Sequence, residues 1–136
     1  RKLVELGVGL YGAVGYRDRV AEMDWEICGY DDTAYGAAKF EFVRNVLGRE
    51  LPCRFRSDET ETVRQFITAG HGVGVLPRYL GDKDDELELI HADLDGQSRE
   101  SVWMLVHPDM RRSPGVRLVM DALIKAADNI AEEFQV

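Results

Sequence analysis

The chain has 136 residues, of which 45% are hydrophobic and 31% charged, and this length and balance indicate one folded domain rather than a disordered segment. The net charge of −8 repels polyanions, and no basic stripe with interleaved aromatic residues occurs, so direct nucleic-acid binding by this chain is not expected. Cys28 and Cys53 each lie in an apolar run, which predicts buried free thiols and a reducing, cytoplasmic location.

Neither a signal peptide nor an apolar run of about 18 residues occurs in the sequence. We therefore expect no membrane insertion and no membrane partner. The first five residues lead directly into a strand pattern without an initiator methionine. This abrupt start predicts that the chain is a fragment of a longer protein.

Two strands and a helix are predicted in the first part of the chain. Residues 8–11 are apolar and are followed by small residues, which predicts a buried strand, and residues 24–30 predict a second. The side-chain oxygens of residues 31–33 can cap a helix that follows. Apolar residues then recur at helical spacing until Gly48, where the helix should end.

A capping pattern and a further glycine indicate another helix. Residues 53–56 alternate in polarity, as a half-buried strand does, and Asp58 with Glu61 has the spacing of a capping box. The helix that starts there should end at Gly70. Residues 72–77 are continuously apolar, which is typical of a strand covered on both faces in a parallel sheet.

The remaining elements complete a pattern in which strands alternate with helices. Residues 87–91 and 101–106 predict two strands, and Ser113 followed by Pro114 predicts the start of a long amphipathic helix. Parallel strands need crossover connections, which helices commonly supply. The sequence therefore predicts an α/β fold with a mostly parallel sheet and helices on both faces.

Three stretches of the sequence resemble one known family. Residues 69–77, AGHGVGVLP, follow the Arg-Ser-Asp of residues 56–58 and are similar to the A-G-x-G-V-x-x-L-P segment of LysR-type effector domains. Residues 102–117, VWMLVHPDMRRSPGVR, resemble the closing W-L-L-V-H-P-D-L-R-R-T-P-R-V-R stretch of that family. Residues 9–13, GLYGA, with Tyr16 downstream, resemble its G-L-Y-A-S crossover. The order and spacing of the three stretches match the family across nearly the whole chain.

The resemblance implies a ligand-sensing domain of a transcriptional regulator. In this family the effector region has two α/β lobes of the periplasmic-binding-protein type (type 2), joined by crossover strands, with a ligand cleft between the lobes. Residues 14–107 would form the complete second lobe, and residues 1–13 and 108–136 would be remnants of the first. The winged helix-turn-helix is absent, so DNA would be contacted only through that missing N-terminal domain. The apolar surface left uncovered predicts a homodimer or a higher homo-oligomer.

Candidate contacts with a small-molecule effector fall after two of the predicted strands. Loops at the carboxyl ends of parallel strands, where helix N-termini present free N–H groups, are the usual ligand sites of α/β proteins. Two such loops follow the strands that end near residues 30 and 56. The resemblance favours the second loop and adds the crossover at residues 11–14. The candidate residues are Tyr11, Gly12, Ala13, Tyr30, Asp31, Thr33, Arg56, Ser57, Asp58 and His71.

Simpler structural roles remain open for several of these residues. Thr33, Ser57 and Asp58 could act only as helix caps, each worth about 1 kcal/mol. Arg56 could bind a carboxylate in a bidentate fork or point into solvent. His71, in a turn expected near the cleft, could sense pH, donate to a ligand or merely be exposed.

The charge of the effector also stays open. A helix N-terminus favours an anion, and many effectors of the family are small organic anions. Four carboxylates beside the two helix starts, those of Asp31, Asp32, Asp58 and Glu59, would compete with such an anion. An effector with an ammonium group or several hydroxyls is therefore an alternative.

Two other classes of protein are alternatives to the sensor. A solute-binding protein for transport shares the two-lobed architecture but would carry a signal peptide or a lipoprotein cysteine. A hydrolase that used Ser57 or Cys53 with His71 would need a nucleophile elbow, which the sequence lacks. The three histidines have no metal-binding spacing. We therefore expect no enzymatic activity, no metal and no cofactor.

Overall fold

The computed structural model describes residues 1–96 and 98–135. Seven strands and five α-helices form this part of the chain, with short 3₁₀ turns at Glu22–Asp24 and Pro108–Met110. In chain order the elements are β1 (Lys2–Leu6), β2 (Val8–Ala13), α1 (Tyr16–Arg19), β3 (Ile27–Tyr30), α2 (Ala34–Leu47), β4 (Cys53–Ser57), α3 (Thr60–Thr68), β5 (Gly74–Pro77), α4 (Arg78–Gly81), β6 (Leu87–Ala92), β7 (Glu100–Trp103) and α5 (Pro114–Gln135).

Five strands line up in the order β4-β3-β5-β2-β6. Strands β3 and β4 pair in parallel, and β2 pairs antiparallel with β5 on one side and β6 on the other. A parallel bridge between Ile27 and Val73 joins the two groups. Four of these five strands therefore run in one direction and only β2 is reversed. The predicted α/β class with a mostly parallel sheet agrees with this arrangement, although residues 74–77 pair with β2 in the antiparallel sense.

The reversed strand β2 is buried along its whole length and is hydrogen-bonded on both sides, so residues 8–13 lie in the central sheet. Strand β7 pairs with β1. The division into a second lobe at residues 14–107 and first-lobe remnants at residues 1–13 and 108–136 stays a prediction. We call β2 to β6 with α1 to α4 the sheet unit, and β1, β7 and α5 the ribbon unit.

The core of the sheet unit lies on both faces of the sheet. One face packs Val8, Leu10, Ile27, Phe42 and Val43 beneath α2, and the other packs Tyr11, Tyr30, Val63, Ile67 and Leu76 beneath α3. Full burial of a large apolar side chain contributes roughly 1.5–3 kcal/mol. Apolar burial on both faces explains why the central strands β2, β3 and β5 show continuous apolar runs rather than alternation.

The ribbon unit is much less buried than the sheet unit. Trp103 in β7 is 60% exposed and Leu118 in α5 is 72% exposed, and residues 104–106 with α5 line an open apolar groove of about 330 Å³. The predicted β-run at residues 101–106 forms only the short strand Glu100–Trp103, because β1 is the only strand that pairs with it in the described chain. No helix within the described residues has the length and apolarity needed to cross a bilayer.

Candidate functional site

The carboxyl ends of β3 and β4 lie side by side. Tyr30, the last residue of β3, is the direct partner of Ser57, the last residue of β4. The segments that lead into α2 and α3 therefore leave the sheet at one shared edge, as the sequence predicts. We call residues 30–33 and 56–60 the β3–β4 edge.

The start of α2 is closed by its own side chains. The Thr33 hydroxyl accepts a hydrogen bond from the Gly36 backbone N–H at 3.2 Å, which confirms the predicted cap. Asp31 Oδ1 accepts two further hydrogen bonds, from the Thr33 N–H at 3.3 Å and from the Thr33 hydroxyl at 2.7 Å. The turn is tight, since a Cβ on Gly36 would lie 1.9 Å from the Asp31 carbonyl oxygen. The Gly36 N–H in the first turn of α2 is therefore satisfied by a side chain of the chain itself.

The start of α3 has no such closure. Its N-cap residue is Glu59, and no side chain caps the helix. The predicted capping box of Asp58 and Glu61 is therefore wrong: the helix begins two residues beyond Asp58, and Glu61 pairs instead with Arg64 one turn later. Ser57 Oγ accepts a hydrogen bond from the Glu59 N–H at 3.1 Å, which orders the turn before the helix. The start of α3 thus lacks the side-chain cap that the start of α2 has.

Charged side chains at the edge are paired and exposed. Arg56 Nη1 donates to Asp32 Oδ1 at 2.8 Å, and the guanidinium lies 4.9 Å from the centre of the Phe40 ring. An exposed pair of this kind contributes at most about 1 kcal/mol, so a ligand could replace either partner. Asp31, Asp32 and Arg56 also line a cavity of about 500 Å³ between α2 and β4.

The hydroxyl groups of Tyr30, Tyr35 and Thr60 lie near one another at the β3–β4 edge. The Tyr30 hydroxyl donates to the Val75 carbonyl oxygen at 3.0 Å, and the rings of Tyr30 and Tyr35 meet edge to face at 5.3 Å. The Thr60 side chain lies near both phenols, and burial raises the pKa of each tyrosine, so both stay protonated at neutral pH. Tyr35 and Thr60 were not predicted; their position in the first turn after a strand was the only signal in the sequence.

Three of the candidate residues lie away from the edge. Tyr11, Gly12 and Ala13 are buried in β2, and the Tyr11 hydroxyl donates to Asp82. Because β2 is antiparallel to β5, Tyr11 pairs with Gly74 at the amino end of that strand. The crossover residues at the level of the edge are instead those near Gly7, whose carbonyl accepts from the Arg78 N–H at 2.8 Å.

His71 also lies at the opposite end of the sheet from the edge. It precedes Val73, which bridges to Ile27 at the amino end of β3, and its exposed ring lies 4.9 Å from the Phe55 ring. Ser57 ends β4 at the other side, so the structure does not bring Ser57 and His71 together. Cys53 Sγ donates to the Phe55 carbonyl oxygen at 3.3 Å, and burial raises the pKa of Cys28 to about 12, which keeps that thiol protonated.

Solved structures with the same fold are regulatory domains. The CrgA regulatory domain from Neisseria meningitidis, described as a LysR-type transcriptional regulator, is 15% identical with a TM-score of 0.66, and the match covers 93% of this chain and 67% of that one. The HypT regulatory domain from Salmonella typhimurium is 15% identical with a TM-score of 0.63, covering 98% and 65%. The CcmR regulatory domain from Synechocystis PCC6803, solved in complex with 2-PG, is 14% identical with a TM-score of 0.62, covering 96% and 67%.

The family match is made on sequence and covers most of the chain. No curated protein sequence matches the chain significantly. The chain spans about two thirds of the regulatory domains that it resembles and 47% of full-length AphB from Vibrio cholerae. The family described as the LysR substrate binding domain matches residues 24–128. With the fold in agreement, this chain belongs to the LysR substrate binding domain family, as its three sequence motifs predict.

Proposed function

We propose that the chain binds a small-molecule effector at the β3–β4 edge, with the open start of α3 as the anchor. The observation that carries the proposal is the difference between two neighbouring helix starts, of which only that of α2 is capped by its own side chains. Free N–H groups at a helix N-terminus, together with the helix dipole, favour a ligand oxygen that accepts hydrogen bonds. Ser57 and Thr60 stand beside these groups and would complete the contact.

Membership of the family supports the sensor over the two alternatives. The family is a ligand-binding region of transcriptional regulators and is not typically enzymatic, which argues against both a transport protein and a hydrolase. The separation of Ser57 from His71 further weakens the hydrolase, because a nucleophile and its base must lie within hydrogen-bond reach.

The effector that this edge would suit is a small polar metabolite with at least one acceptor group. The anchoring end would be a carboxylate or a hydroxyl at the start of α3, and Arg56 could turn from Asp32 to a second acidic group. Asp31 and Asp58 could accept from hydroxyl or ammonium groups at the other end of the ligand. The 2-PG bound by CcmR supports the view that this fold takes small molecules.

The regulatory role of the whole protein is part of the same proposal. The full-length proteins that the chain resembles include DarR from Vibrio fischeri, solved in complex with DNA. We propose that DNA is contacted through a separate domain, that the regulator works in the cytoplasm as a homodimer or higher oligomer, and that effector binding shifts the balance between two arrangements. Such a coupling is typically worth about 1–3 kcal/mol.

The test is a thermal-shift screen of the full-length protein against carboxylates, polyols and amines. A ligand that binds only the folded state raises the melting temperature. The decisive variants are Thr60→Pro and Thr60→Val. Proline is well tolerated at the first position of a helix but lacks the N–H, and the extended backbone of Glu59 (φ −113°, ψ 126°) suits a following proline.

Thr60→Val serves as the matched control because it removes the hydroxyl and keeps the backbone N–H. We expect Thr60→Pro to weaken effector binding about tenfold more than Thr60→Val does, with both variants folded by circular dichroism. Equal affinities of the two variants would show that the backbone of α3 does not anchor the ligand.

A further inference from the structure

A cluster of three polar side chains joins the sheet unit to the ribbon unit. Lys39 on α2 is only 3% exposed and is the one charged residue that is buried among those described. Its ammonium forms an ion pair with Glu100 on β7 and lies 4.7 Å from the centre of the Tyr35 ring. The Tyr35 hydroxyl donates to Glu100 Oε2 at 3.2 Å. The cluster borders a cavity of about 440 Å³ between α2 and β7.

The two sides of this ion pair belong to different units. Tyr35 and Lys39 are carried by α2, whereas Glu100 is carried by β7, which is hydrogen-bonded to β1. A buried ammonium is strongly unfavourable without a carboxylate beside it. Movement of the ribbon unit away from α2 would leave Lys39 without that carboxylate. The position of β7 relative to α2 is therefore restrained by charge as well as by chain connectivity.

One of these side chains, Tyr35, is in contact with the β3–β4 edge. Tyr35 is the second residue of α2, two positions after the Thr33 cap, and its ring packs against Tyr30 at the end of β3. Thr60, at the start of α3, lies near both phenols. A line of contacts thus runs from the end of β3, through Tyr35 in the first turn of α2, to Glu100.

We infer that Tyr35, Lys39 and Glu100 form a latch that positions the start of α2 against β7 and couples displacements at the β3–β4 edge to the ribbon unit. This inference rests on the proposed function for its biological meaning, because the edge is the proposed effector site. The three residues are positioning residues: they fix the distance between the edge and the ribbon unit and do not touch the effector.

Amide hydrogen exchange of the intact chain tests the latch without any ligand. The double variant Lys39→Met with Glu100→Gln removes both charges and so avoids an unpaired buried ion. Its matched control is Arg44→Met with Glu50→Gln, which removes an exposed ion pair next to the same helix. We expect exchange in β1, β7 and the first turn of α2 to accelerate at least tenfold in the latch variant, with β2 and β5 unchanged and the control variant like the wild type.

Coupling is measured by adding Thr33→Ala, which removes the cap of α2, to each background. In the wild type and in the Arg44/Glu50 control, this change should accelerate exchange in β7 several-fold. In the latch variant it should leave β7 exchange unchanged, because the connection is already broken. An equal response of β7 in all three backgrounds overturns the inference, as does uniform acceleration in every element of the latch variant.

The outcome is separable from that of the effector proposal. If the exchange experiment supports the latch but no metabolite raises the melting temperature, the latch stands and the proposed effector site is contradicted. If a metabolite binds but Thr33→Ala does not change amide exchange in β7, the latch is contradicted and the effector site remains.

Discussion

The two helix starts at the β3–β4 edge occupy equivalent positions but differ in chemistry. Both follow parallel strands whose last residues, Tyr30 and Ser57, are direct partners. At α2, Thr33 stands at the N-cap position and satisfies the helix, with Asp31 holding Thr33 in place. At α3, Glu59 occupies that position and caps nothing.

The two helix starts differ in whether a first-turn N–H group stabilises the fold through a cap or can still bind another acceptor. A capped start contributes about 1 kcal/mol to folding, because a side-chain oxygen accepts from one first-turn N–H. An uncapped start gives up that stability and leaves this N–H for another acceptor. The comparison therefore indicates a structural role for the start of α2, whereas effector binding at the start of α3 is our proposal, and the variants below test it.

The largest effect is expected from Gly36→Ala. The added Cβ would lie 1.9 Å from the Asp31 carbonyl oxygen, so the turn that holds the cap must open, and a loss of about 3 kcal/mol is expected from overpacking. Urea unfolding measures it. Gly115→Ala in α5 is the control, since nothing lies within 4 Å of the new Cβ there and alanine favours a helix. A loss below about 1 kcal/mol in Gly36→Ala would mean that the α2 start is not tightly closed.

Titration of Lys39 tests how α2 is held beyond its cap. Burial lowers the pKa of Lys39 from 10.5 to about 8, so between these pH values the unfolded chain binds more protons than the folded one. The contribution of Lys39 to the free energy of unfolding therefore rises with pH from 8 to 10.5, by at most about 3 kcal/mol. The neighbouring Glu100 carboxylate opposes the shift and reduces the effect.

The measurement is urea unfolding of the wild type and of Lys39→Met at pH 7.5 and 9.5. Other groups near Lys39, such as Tyr35 and Arg99 beside the same cavity, are present in both proteins, so the difference between the two reports Lys39. A pH dependence that is the same in both proteins would contradict the lowered pKa.

Loss of the Thr33 hydroxyl should cost more stability than loss of the Ser57 hydroxyl. Thr33→Ala removes a side-chain cap and should cost roughly 1 kcal/mol. Ser57→Ala removes only a hydrogen bond of an exposed turn and should cost less than about 0.5 kcal/mol, with secondary structure intact and effector binding weakened. Thermal unfolding of both variants gives the comparison. Equal losses would place Ser57 among the structural caps.

The smallest effect on stability is expected from a variant that adds a cap to the start of α3. The same variant is the sharpest test of function. Glu59→Ser places a good cap at α3 and should raise the free energy of unfolding by about 0.5–1 kcal/mol. Because the new hydroxyl would occupy first-turn donors, effector affinity should fall at the same time. Calorimetry of effector binding beside unfolding measures both quantities. If the stability increased and the effector affinity did not change, the first-turn N–H groups of α3 would not be part of the binding site.

Local patterns in the sequence predicted six of the strands, the three longer helices and one of the two helix starts, but not β1 or the short helices α1 and α4. The Thr33 cap, the helix end at Gly48 and the strand at residues 53–57 depend on neighbours within about four positions, which the sequence displays directly. The family motifs at residues 69–77 and 102–117 were likewise readable without coordinates, and the family match confirms them. The predicted capping box at Asp58 was wrong because the sequence is equally compatible with a helix that starts after Asp58 and with one that starts after Glu59.

Tertiary structure alone decided which distant residues share an edge. The reversal of β2 moved Tyr11, Gly12 and Ala13 away from Ser57, and the direction of β5 put His71 at the opposite end of the sheet. The pairing of Lys39 with Glu100 joins positions far apart in the chain, and no periodicity links them. Helix and strand patterns record contacts between near neighbours in sequence, whereas strand order and buried ion pairs depend on which surfaces meet once the chain has folded.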